Sequence, residues 1–175
     1  MNMIGAYMQV LLSYVMVVFF LISGIPAVAL AADKAPENAV VSENIVVSEF
    51  KQETITIETA AKATHSIKAE IAESQEAREK GLQGRTEMPA DRGMLFIFSE
   101  DTFIEMWMKN TPMSLDMLFL DSKGKIIYIA AKTKPNSLDI ISARKDARGV
   151  LELAGGTTEK LGIKIGDRVI YSYFK

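Results

Sequence analysis

The sequence predicts a mainly β fold: a small barrel or a rolled, mostly antiparallel sheet carrying one or two short helices. Three observations predict it. About eight short runs of strand length lie between Thr54 and Phe174, either alternating or continuously apolar. Turn residues separate them at close spacing. Only two stretches, after Ser74 and after Gly156, read as helical, and both are short.

Thr54-Ile55-Thr56-Ile57-Glu58 is β-branched and alternates with period two, so it predicts a first strand. Ile67, Ala69 and Ile71 alternate with Lys68 and Glu70 in a second. Ser74 is a helix-capping residue, Glu76 suits the first turn, Glu76 and Lys80 form an i,i+4 pair, and Gly81 is a stop signal. Gly84 to Arg92 reads as a loop. Gly93-Met94-Leu95-Phe96-Ile97-Phe98 is a continuous apolar run, as expected of a strand buried on both faces. Ile104 to Lys109 alternates again and predicts a further strand, broken by Asn110-Thr111-Pro112. Leu115–Leu120 and Lys125–Ala130 flank Asp121-Ser122-Lys123-Gly124, a hairpin signal. Residues 134–146 read as a second loop, Gly149–Leu153 as a strand, Thr157–Leu161 as one helical turn, and Arg168–Phe174 as the last strand.

The 175 residues fall into three expected parts. Residues 1–31 are uncharged and mostly apolar; all 42 charged residues lie from Asp33 onward. Ala29-Leu30-Ala31 is a small-x-small pattern of the kind signal peptidase cleaves, so this part is expected to be a signal peptide or, uncleaved, a membrane anchor. It implies an exported chain, periplasmic or extracellular. Residues 32–53 read as a linker and residues 54–175 as one globular domain. A net charge of −2 makes no electrostatic case for nucleic acid, which would call for a basic stripe. The absence of cysteine removes disulfides, thiolate metal sites and Cys nucleophiles, and the single histidine, His65, argues against multi-His metal sites and Ser-His-Asp triads centred elsewhere. No metal and no cofactor are expected, and the domain is expected to be a monomer.

Three blocks in fixed order carry a resemblance. They are Arg78-Glu79-Lys80-Gly81-Leu82-Gln83-Gly84-Arg85; then Gly93–Phe98 with Met106-Trp107-Met108-Lys109-Asn110-Thr111 and Leu115-Asp116; then Val150-Leu151-Glu152-Leu153-Ala154-Gly155-Gly156, closing with Gly162-Ile163 and Gly166-Asp167. Together they resemble the bacterial and archaeal family known as domain of unknown function 192, over about Ser66 to Tyr173. Met106 stands where that family usually has Phe, and Gln83 where it usually has Met. The resemblance implies a domain often found in exported proteins, and it implies no particular reaction.

Polar side chains placed in or beside apolar strands are the candidates for chemistry: Arg85, Trp107, Lys109, Asn110, Asp116 and Glu152. Asp116 lies between Leu115 and Met117, and Glu152 between Leu151 and Leu153. A buried charge needs a partner, and Arg85 or Lys109 paired with Asp116 or Glu152 would supply one. Alternation puts Trp107 on one face with Glu105 and Lys109, opposite Met106 and Met108. The ring is either core or a platform for a sugar. The leading expectation is a non-enzymatic binding or accessory module of the cell envelope, taking a small polar ligand, carbohydrate or anionic, with Asp116 orienting Arg85, Lys109 and Asn110. The alternatives are a hydrolase of envelope glycans working through Asp116 and Glu152, and a purely structural interaction module.

Overall fold

A computed structural model describes residues 50–175. The expected signal or anchor at residues 1–31, and the expected linker up to residue 49, lie outside the described residues. The chain runs β1 (Lys51–Glu58), β2 (Thr64–Ala72), α1 (Gln75–Lys80), β3 (Arg92–Thr102), β4 (Leu115–Leu120), β5 (Ile126–Ala130), β6 (Ala147–Ala154), α2 (Thr157–Leu161) and β7 (Arg168–Ile170).

The strands form one sheet in the order β5-β4-β6-β3-β2-β1-β7. Every pairing is antiparallel except β2 with β3, which α1 and its following loop connect as a crossover. The two ends of that order meet. Lys125, just before β5, bridges Arg168 of β7, and Val169 N–H donates to the Gly124 carbonyl at 2.8 Å. The sheet is therefore a nearly closed mixed barrel. Gly124 sits at this seam with φ of 72°, a conformation in which any Cβ would also run into the Val169 carbonyl oxygen.

Alternation then explains two cores. One set of side chains fills the barrel: Ile55 and Ile57 from β1, Ile67 and Ile71 from β2, Leu95 and Ile97 from β3, with matching residues from the remaining strands. Their sequence neighbours on β3, β4 and β6 point outward and would meet water. Instead Met94, Phe96, Met117, Phe119 and Val150 are covered by Phe50, Leu82, Ile104 and Met108. This is why β3 and β4 read as continuous apolar runs: both of their faces are buried.

Three local features differ from expectation. Residues 104–109 alternate but join no strand; a single bridge, Met106 to Ile141, ties them to the loop before β6. Here alternation reflects an extended segment lying over the second core, with Met108 inward and Trp107 outward, rather than membership of the sheet. The last strand has three residues, because the chain turns back at Tyr171, whose carbonyl accepts from Phe174 N–H. Lys51, Gln52 and Glu53, expected as linker, continue the β1–β2 ladder opposite Ile71, Glu70 and Ala69.

Candidate functional site

The second core is incomplete between α1 and residues 104–111, and a cavity of about 570 Å³ opens there. That size suits a small ligand. Its inner wall includes Leu82, Phe96, Phe98 and Met106; α1 supplies Gln75, Arg78, Glu79 and Lys80, and the opposite side supplies Glu105, Trp107 and Lys109.

Glu152 lines this cavity. On β6 it lies beside Met94 of β3 and Met117 of β4, both fully buried, and is itself 3% exposed. Among the described residues it has no hydrogen-bond or ion-pair partner. Burial alone pushes its carboxyl pKa up to about 8, with no charged group offsetting it. At neutral pH it is chiefly a neutral acid with one O–H donor.

The rim is built by short-range geometry. Ser74 Oγ accepts from Ala77 N–H and starts α1; Gly81, at φ 46°, ends it. Arg78 lies 4.7 Å over the Phe98 ring and donates to the Ile97 carbonyl at 3.0 Å, which fixes α1 against β3. On the other side Asn110 adopts φ 53°, a left-handed conformation that asparagine tolerates. Its carbonyl accepts from Gly84 N–H at 2.8 Å, and its side-chain amide donates to Gln83 at 3.1 Å. Asn110 thus links the two sides of the cavity. Trp107 is 52% exposed, and the Lys109 ammonium lies 5.9 Å over its ring.

The six sequence candidates therefore separate. Trp107, Lys109 and Glu152 line one cavity, and Asn110 braces it. Arg85 is elsewhere: its guanidinium makes a two-pronged pair with Glu70, at 2.8 and 2.5 Å, and that hydrogen bonding raises its pKa.

Asp116 is also elsewhere. It is fully buried and accepts from Lys132 N–H at 2.8 Å, Gly156 N–H at 2.9 Å, Thr158 N–H at 2.8 Å and the Thr158 hydroxyl at 2.7 Å. Burial alone would raise its pKa, but these donors outweigh burial and hold it below the ordinary carboxylate value. Gly156, the N-cap of α2, has no side chain, and Asp116 supplies the cap from another strand.

The expected pairings of Arg85 or Lys109 with Asp116 or Glu152 are not formed. Nor does Asp116 face Glu152. Register pairs Asp116 with Leu153 and Met117 with Glu152, so the two carboxyls point to opposite faces of the sheet. The hydrolytic reading through this pair of residues fails on that geometry. Among the described residues no group of three or more His, Asp or Glu side chains could hold a metal ion.

Sequence reasoning did not single out Arg78, Gln83, Phe96 or Phe98 as cavity residues. A signal existed for the first two, which sit in the Arg78–Arg85 block, but they looked like ordinary helix surface and loop.

A nearly closed mixed barrel with a cavity on its outer face, under a one-and-a-half-turn helix, defines the class. The chain belongs to the DUF192 family, described as an uncharacterized ACR, which it matches over residues 55–171. Two solved structures share the fold. A protein of Sinorhizobium meliloti 1021, described as a candidate transcription regulator, is 42% identical over 69% of this chain and 94% of its own, with a TM-score of 0.68. A protein of unknown function from Novosphingobium aromaticivorans DSM 12444 is 31% identical over 72% of this chain and 89% of its own, with a TM-score of 0.69. No match was found among curated proteins.

Proposed function

We propose that this protein is an exported, non-enzymatic binding module that takes a small polyhydroxyl ligand, a carbohydrate, in the cavity between α1 and Trp107. The observation that carries the reading is the pairing of a half-exposed tryptophan with a buried, unpartnered carboxyl in one cavity. A large apolar ring left open to solvent beside polar donors suits the apolar face of a sugar ring. Lys109, Gln83 and Glu152 offer hydrogen bonds to its hydroxyls. The uncharged segment at residues 1–31 supports export, to the periplasm or the outside of the cell. The net charge of −2 adds no electrostatic support for carrying the regulator description of the Sinorhizobium protein over to this chain as nucleic-acid binding.

Trp107 is the only tryptophan in the chain, so intrinsic fluorescence reports on this cavity without a label. Titration with mono- and disaccharides is expected to change its emission saturably. Trp107→Ala is expected to lose the binding, followed by calorimetry, while shifting stability by no more than about 0.5 kcal/mol, as for an exposed side chain. Binding that survives Trp107→Ala at full strength would refute the placement.

A further inference from the structure

Glu152 poses a question that the barrel does not answer. An ionised carboxylate at this depth, without a partner, costs several kcal/mol. Five charged groups line the same cavity: Arg78, Glu79 and Lys80 from α1, and Glu105 and Lys109 from the opposite side. None pairs with Glu152, and its cross-strand neighbours, Met94 and Met117, are uncharged. The group is therefore neutral near pH 7, and its O–H is a donor for which the described residues provide no acceptor. The side chain lines a cavity large enough for a ligand, so an acceptor can reach it from outside the protein.

Resting on the carbohydrate reading above, the geometry points to a ligand anchored by the Glu152 O–H: a sugar recognised through the carbonyl oxygen of an N-acyl group, and not through an ammonium group. An amide oxygen is a strong neutral acceptor, and the acyl methyl would lie against the apolar wall of Leu82, Phe96 and Met106. A carboxylate in its place would carry a negative charge into that apolar floor. An amino sugar would bring a cation past Arg78, Lys80 and Lys109, against two acidic groups on the same lining. Deprotonation of Glu152 removes the donor and places a negative charge opposite the acyl oxygen. Binding is thus tied to one proton, and affinity falls about tenfold per pH unit once Glu152 ionises.

The test uses the full chain and three probes: N-acetylglucosamine, glucosamine and glucuronate. Each is titrated by Trp107 emission at a series of pH values from well below to well above 8. N-acetylglucosamine is expected to bind at low and neutral pH and to weaken by about tenfold per unit above the Glu152 pKa, with the other two weaker throughout. Glu152→Gln keeps a neutral donor in nearly the same shape, so it is expected to retain binding and lose the pH dependence; Glu152→Leu is expected to lose binding while remaining folded by circular dichroism. Preference for glucosamine that grows with pH, preference for glucuronate, a flat wild-type profile, or loss of binding in folded Glu152→Gln would each overturn the anchor. If a sugar binds but ignores every Glu152 variant, the anchor fails and the carbohydrate reading stands. If no sugar alters Trp107 emission at any pH, the carbohydrate reading fails and takes the anchor with it.

Discussion

Replacing Asp116 by alanine leaves three backbone N–H groups and one hydroxyl without their acceptor, all around a loop junction that joins the end of β5 to the start of α2. Each buried donor left unsatisfied costs ~1–3 kcal/mol, and water entering a relaxed loop recovers part of it. Two of the four bonds are fully buried and two only partly, so the net loss left after that recovery is on the order of 3–5 kcal/mol. For a domain of this size that corresponds to a fall in melting temperature of roughly 10–20 °C. The pH dependence has a definite sign. The folded-state pKa of Asp116 lies below its unfolded value, so its contribution is present above about pH 3.9 and is lost as pH falls through the folded value. Wild type should therefore lose stability at the acid end more steeply than Asp116→Ala. Thermal melts followed by circular dichroism across the acid range would measure both effects. If Asp116→Ala melts within about 2 °C of wild type but loses ligand binding, Asp116 belongs to a site and its assignment as a loop-fixing residue is wrong.

Glu152 carries the opposite dependence: with a folded pKa of about 8 against an ordinary 4.5, its contribution is fully present below pH 4.5 and is lost as pH rises towards 8. At 1.36 kcal/mol per unit the loss reaches on the order of 4–5 kcal/mol, and Glu152→Gln should flatten it; equal slopes in urea-denaturation series of the two proteins would contradict this. Arg85→Ala breaks a partly buried two-pronged pair with Glu70 and should cost ~1–2 kcal/mol without changing ligand affinity. An unchanged melting temperature with weakened ligand binding would return Arg85 to the site.

Most of the fold was legible because period-two alternation is a local property. Ile55 and Ile57, or Ile67, Ala69 and Ile71, mark the barrel face without any knowledge of their partners. The hairpin around Gly124 was legible for the same reason. Residues 104–109 show where the rule fails: an extended segment laid across a core alternates as a strand does, and only the presence of a neighbouring backbone distinguishes the two. Sequence patterning placed Trp107 and Lys109 correctly on one face, yet could not show that this face borders a cavity. The partner of Arg85 was likewise out of reach, since Glu70 sits on a strand whose other residues gave it no distinction.

Asp116 and Glu152 look alike in the sequence, each a carboxylate between two apolar residues of a buried strand. Their fates diverge because adjacent strands are registered so that one faces into the barrel and the other away from it. Towards its end, the barrel interior is closed by chain reversals, and reversals expose backbone N–H groups; an acid there collects donors and becomes a cap for α2. The outer face is closed by a short helix and an extended segment, which meet the sheet through side chains rather than free backbone. An acid there collects nothing and stays neutral. A buried carboxylate with all its donors in place holds this fold together. One held neutral at the floor of an open cavity does nothing for stability that glutamine would not do better, and a ligand's oxygen is the partner its chemistry is suited to meet.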